Sequence, residues 1–142
     1  REARYDDPMP VRRWVRRVKD PFCGLSHAFG AGLAAVGSAW LVVLAAGDTL
    51  RVVAFAVYGA TLTLLYVFSA LYHSARVGPK AEGVLYGLDR AAIYALIAGT
   101  YTPVCLVAIG GAWGWSLFGV AWGLAFAGIV ADVLTGRRIP DG

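Results

Sequence analysis

Five side chains stand where chemistry is costly and therefore informative: His27, Ser69, His73, Asp89 and Asp132 lie within or at the ends of long apolar stretches. Ionisable groups in such surroundings are expensive to hold and tend to serve function. Ser69 and His73 are four residues apart, which places them on one face of a helix, one turn from each other. A hydroxyl so placed can hydrogen-bond the imidazole or a water bound beside it. A neutral imidazole is a common zinc ligand, and a nearby carboxylate can orient it or a water on the metal. Plain alternatives stand beside this reading. A histidine at a helix end often meets lipid headgroups, and Asp89 can act as a first-turn residue at a helix N-terminus or pair with its neighbour Arg90. A catalytic zinc takes three protein ligands, and the sequence holds two histidines in all.

The elements that must carry these residues are read from where charge is missing. Of 142 residues, 58% are hydrophobic and 15% charged, against about a quarter charged in soluble domains. Residues 22–47 and 52–75 carry no formal charge, and neither do residues 91–131, broken near the middle by Gly110, Gly111 and Gly114. About 20 apolar residues cross the hydrocarbon of a bilayer as a helix. The runs therefore predict an all-α, polytopic transmembrane helix bundle with four spans, at about 22–46, 52–75, 90–109 and 113–134. Barrel strands would alternate in polarity, whereas these runs are apolar on every face. Each must satisfy its own backbone amides as a helix, because lipid cannot. Residues 1–21 form a basic juxtamembrane segment and residues 22–142 the transmembrane domain. The first run is too long for the apolar core of a cleavable signal peptide.

Charge also sets orientation. Seven of the thirteen Lys/Arg precede the first run, three lie between the second and third (Arg76, Lys80, Arg90), and two follow the fourth (Arg137, Arg138). Only Arg51 falls on the other side. The positive-inside rule predicts a multi-pass protein of the cell membrane with a cytoplasmic N-terminus. His27, His73, Asp89 and Asp132 then approach one plane near the cytoplasmic face, each delivered by a different helix. The basic N-terminal stretch fits an anchor on anionic headgroups, with Val11, Trp14, Val15 and Val18 on one helical face along the interface. That position accounts for the net charge of +4 without a nucleic-acid partner.

Three further features concern packing. Gly119 and Gly123 form a GxxxG pair, and Gly24, Ala28 and Gly32 share its spacing, which allows helices to approach closely. Pro103 predicts a kink in the third helix, with Thr100, Tyr101 and Thr102 available to serve freed carbonyls. Cys23 and Cys105 sit in different runs and do not suggest a disulfide framework.

The motifs Gly24-Leu-Ser-His27, Phe68-Ser-Ala-Leu-Tyr-His-Ser74, Leu88-Asp-Arg-Ala-Ala-Ile-Tyr94 and Ile97-Ala-Gly-Thr-Tyr-Thr-Pro103 stand in this order along the first three helices. In them the chain resembles the hemolysin III family of bacterial membrane proteins, relatives of the progestin and adiponectin receptors. The resemblance weakens in the fourth helix. It implies a seven-helix fold with a cytoplasmic N-terminus and a zinc ion near the cytoplasmic side held by three histidines. One of these matches His73, in S-x-x-x-H with Ser69. Asp89 matches the aspartate expected to reach the metal through water. The other two histidines belong to an H-x-x-x-H motif on the seventh helix, which this sequence lacks, so the zinc site is incomplete in the chain as written and Gly142 reads as an interruption of the family fold. His27 matches the helix-1 motif as an accessory residue.

The resemblance implies a zinc-dependent membrane hydrolase acting on an amide or ester of a lipid, with membrane lipids as partners and a lipid-like substrate. In that reading His73 is a metal ligand, Asp89 orients or deprotonates the water and Ser69 supports the site. A cytolysin or channel-like protein is one alternative, against which the scarcity of intramembrane polar groups counts. A receptor or lipid-homeostasis regulator without turnover is the other.

Overall fold

The computed structural model describes residues 18–135. It contains four long helices: α1 (Pro21–Leu44), α2 (Thr49–Ser74), α3 (Pro79–Pro103) and α4 (Gly111–Thr135). A π-helical segment, Val104–Ile109, continues α3, so the third span runs from Pro79 to Ile109. All four are long and apolar enough to cross a membrane, and the chain is a helical integral membrane protein. The expectations for residues 1–17, including the interfacial face of Val11, Trp14 and Val15, and for Arg137 and Arg138 lie outside the described residues.

Short connections make successive helices antiparallel neighbours, and α1 packs on α2, α2 on α3 and α3 on α4. The inner helices bury more of their length: 22% and 33% of the most apolar windows of α2 and α3, against 6% for α1 and α4. Large apolar side chains on the outer helices face outward, among them Phe22, Phe29 and Trp40 on α1 and Trp113, Leu124 and Val133 on α4. In water such a surface would aggregate, but lipid is its proper solvent.

Helix starts follow local chemistry. Asp48 caps α2 by accepting from the Arg51 N–H at 3.1 Å. Proline stands in the first turn of α1 and of α3, where a missing N–H costs nothing. The third helix begins about three turns earlier than the apolar run predicts. Lys80 and Glu82 interrupt the hydropathy but not the helix, which starts at the Gly78-Pro79 signal. The first-turn carboxylate of α3 is accordingly Glu82, and Asp89 lies ten residues into the helix, beyond the reach of the terminal dipole.

Close approach falls on glycines other than the GxxxG pair. A Cβ at Gly119, Gly123 or Gly32 would meet nothing within 4 Å. A Cβ at Gly24 would overlap Ser74, at Gly59 Ser38 and at Gly99 Thr61, all at contacts between neighbouring helices. Thr61 cannot easily yield, since it is buried and its hydroxyl is held by the carbonyls of Val57 and Tyr58 at 3.1 and 2.9 Å.

The α-helical part of α3 ends at Pro103 and a π-helical turn follows, closing with the Gly110 N–H on the Cys105 carbonyl at 2.9 Å. Thr100 and Thr102 donate to the Leu96 and Ala98 carbonyls rather than to that of Gly99, one turn before the proline. This back-bonding favours bending and does not serve the freed group. Thr102 also accepts from Trp122 Nε1 at 3.1 Å, joining α3 to α4. Gly110 and Gly111 turn the chain into α4 with φ of 65° and 59°, a backbone that glycine adopts without strain. Cys23 and Cys105 are both free thiols.

Candidate metal centre

Polar residues from all four helices gather at the end of the bundle where α1 and α3 begin and α2 and α4 finish. His73, one residue before the end of α2, points its Nδ1 at Asp20 Oδ2, 3.1 Å away. The Asp20 N–H donates to the His73 carbonyl at 2.8 Å, so the two residues meet through backbone and side chain alike. Residues 18–20 form a strap across the bundle end. The Arg76 guanidinium donates to the Val18 carbonyl at 3.2 Å. Lys19 reaches Glu82 on α3 at 2.6 Å and lies 4.2 Å from the centre of the Tyr72 ring. The Glu82 carboxylate holds the Lys19 ammonium above its ordinary pKa.

Deeper in the bundle, the His27 ring of α1 meets the His73 ring edge-on, with centroids 5.8 Å apart, and the Tyr66 ring at 5.9 Å. His27 Nδ1 is buried and has no hydrogen-bond partner. From His73 the ring contacts continue through Tyr72 at 5.0 Å to Tyr86 of α3 at 5.6 Å. Arg90 stands 5.7 Å from the Tyr86 ring and clamps Asp132 of α4 with two bonds of 2.5 and 2.9 Å. A groove of about 240 Å³ opens beside this ion pair, lined by Gly83, Gly87 and Ile129 among others.

The structure thus brings His27 and His73 together, and it places Asp132 against Arg90. Arg90 pairs with this carboxylate across the helices and not with its chain neighbour Asp89. The Asp89 carboxylate is partly exposed and makes no hydrogen bond or ion pair among the described residues. Seven residues separate Glu82 from Asp89, and seven separate Asp20 from His27. At 1.5 Å per residue, Asp89 and His27 both lie about 10 Å further into the bundle than the strap. Ser69 is buried one turn below His73, and no hydrogen bond joins the two. The residue that sequence reasoning missed is Asp20. An aspartate before a proline reads as the N-cap of its own helix, and nothing in the local pattern points it at a histidine 53 positions away.

As a donor set this cluster fits part of a zinc site. His73 offers an imidazole whose other nitrogen is already held, and Asp89 offers an unpaired carboxylate. Among the described residues no group of three His, Cys, Asp or Glu side chains is placed to hold a metal ion. The donors present therefore fall short of the usual three ligands.

Residues 15–139 match the family described as Haemolysin-III related. The chain is 43% identical over 131 residues to Hemolysin-3 of Bacillus cereus, covering 90% of this chain and 59% of the relative. It is 36% identical over 116 residues to a Hemolysin-3 homolog of Bacillus subtilis strain 168, covering 80% of this chain and 54% of the relative. The chain thus spans little more than half the length of these relatives. No solved structure matches it significantly. With nearly its whole length matched, including the helices that carry His27, Ser69, His73 and Asp89, this chain belongs to the haemolysin III family.

Proposed function

We propose that the helices described here carry part of a zinc-dependent hydrolase site, at the cytoplasmic face of the cell membrane, that cleaves an amide or ester bond of a lipid. The observation that carries this reading is the edge-on meeting of His27 and His73 at one end of an otherwise apolar bundle, with Asp89 of α3 at about the depth of His27 and without a hydrogen bond or ion pair among the described residues. Apolar walls on every side suit a substrate that arrives laterally from lipid. His73 would hold the metal through the nitrogen that Asp20 leaves free. Zinc, when bound, would supply a nucleophilic water at neutral pH. Asp89, which makes no hydrogen bond or ion pair among the described residues, would be the group to orient and deprotonate such a water, and the buried Ser69 would support the His73 face. The remaining ligands must come from outside this set.

The test is zinc content and turnover of fluorescent ceramide-like amides and of lipid esters by the protein in nanodiscs. His73→Ala should abolish both zinc and turnover. Asp89→Ala should retain most of the zinc and lose turnover at least a hundredfold, within the usual range for a general base. A protein that binds no zinc, or turnover that survives both changes, refutes the proposal.

The name Hemolysin-3 carried by the Bacillus cereus relative favours a second reading, in which the protein permeabilises membranes. Dye release from liposomes that persists in His73→Ala would support it over hydrolysis.

A further inference from the structure

Asp20 occupies the N-cap position of α1, directly before Pro21, yet its side chain makes no capping bond. Aspartate there ordinarily accepts from the N–H groups of its own first turn, and giving this up destabilises the helix start. Here the carboxylate turns away to Nδ1 of His73, at 3.1 Å. The contact is held from several sides. The Asp20 N–H is bonded to the His73 carbonyl, Arg76 grips the Val18 carbonyl, and Lys19 ties the strap to Glu82 and Tyr72. Val18, the first residue of the strap, is itself buried.

An ionised carboxylate can only accept, so the imidazole nitrogen that faces it must carry hydrogen. We propose that Asp20 is a positioning residue for His73. It fixes the Nδ1–H tautomer and ring orientation and so leaves Nε2 as the lone-pair nitrogen offered to a ligand. Tyr72 and His27 pack against the same ring, at 5.0 and 5.8 Å, and limit its rotation. A carboxylate behind a metal-binding histidine raises its basicity and fixes the bonding nitrogen. That consequence rests on the zinc reading above, whereas the tautomer assignment does not.

The two are separated by measuring them apart. In metal-free, 15N-histidine-labelled protein in nanodiscs, at a pH where imidazole is neutral, the nitrogen shifts report the His73 tautomer, assigned by their loss in His73→Gln. The wild type should be predominantly Nδ1–H. Asp20→Asn can both donate and accept, and should let the ring relax toward Nε2–H, the form imidazole side chains prefer in water. Lys19→Ala leaves the carboxylate in place and should leave the tautomer as it was. Nε2–H in the wild type, or an unchanged ratio in Asp20→Asn, overturns the proposal, and the first needs no variant to fold. Zinc titration is the second arm, where Asp20→Asn should weaken binding 10- to 100-fold. If the wild type binds no zinc while the tautomer follows Asp20, the hydrolase reading falls and the positioning role stands.

Discussion

The two ends of the bundle are held by different means. Where α1 and α3 begin, elements far apart in sequence are joined by side-chain polar contacts: Asp20 to His73, Lys19 to Glu82 and Arg90 to Asp132. At the other end the bonds are local, with Asp48 capping its own helix and Gly110 closing back on Cys105. Between the ends, small residues and the Trp122–Thr102 bond bring the helices together. The lesson is a division of labour. The apolar middle supplies packing, and the polar end holds the groups that could meet a ligand, at a depth where ionisable groups are costly.

That comparison can be broken or sharpened by substitution, read as resistance to denaturation in detergent or nanodiscs. Gly99→Leu should have the largest effect, about 3 kcal/mol, because Thr61 is held against the Cβ position by its own hydrogen bonds. A neutral result would mean that packing between α2 and α3 is not what holds the middle. Arg90→Ala should cost about 2 kcal/mol, between the values for exposed and buried pairs, since the two side chains are 26% and 17% exposed. A smaller loss than for an exposed pair would show the polar end to be expendable for stability. Trp122→Phe removes one hydrogen bond between α3 and α4 and should cost ~0.6–1 kcal/mol. Lys19→Ala should cost ~0.5 kcal/mol, because the pair with Glu82 is only half-buried. A large effect there would recast the strap as a structural clasp.

Much of the fold was legible because membrane spans announce themselves by missing charge, and all four were found with α1, α2 and α4 ending within a few residues of expectation. The start of α3 was not, because hydropathy cannot see a helical extension interrupted by charges such as residues 79–89, whose signal lay in Gly78-Pro79. The GxxxG spacing identified a face without saying whether that face meets a helix, and Gly119 and Gly123 meet none among the described residues. Pro103 marked a break in the α-helix but not the π-helical turn that follows it, which runs on to Ile109 with the Cys105 carbonyl close against Gly114. At the candidate site, His27 and His73 were legible as costly residues near one end of the bundle. The partners of His73 and Arg90 were not, because each is set by contact across the bundle over tens of residues.

One residue, Gly110, separates the π-helical end of α3 from α4. So short a link leaves no freedom for the two spans to enter the bilayer one after the other as independent stems. They must cross as a single hairpin, which delivers Arg90 and Asp132 to the same depth together. Each charge then arrives with its counter-charge, and the cost of inserting either one alone need never arise. A longer flexible linker in place of Gly110 would separate those arrivals, and the penalty would appear as failed insertion during synthesis rather than as instability of the finished protein.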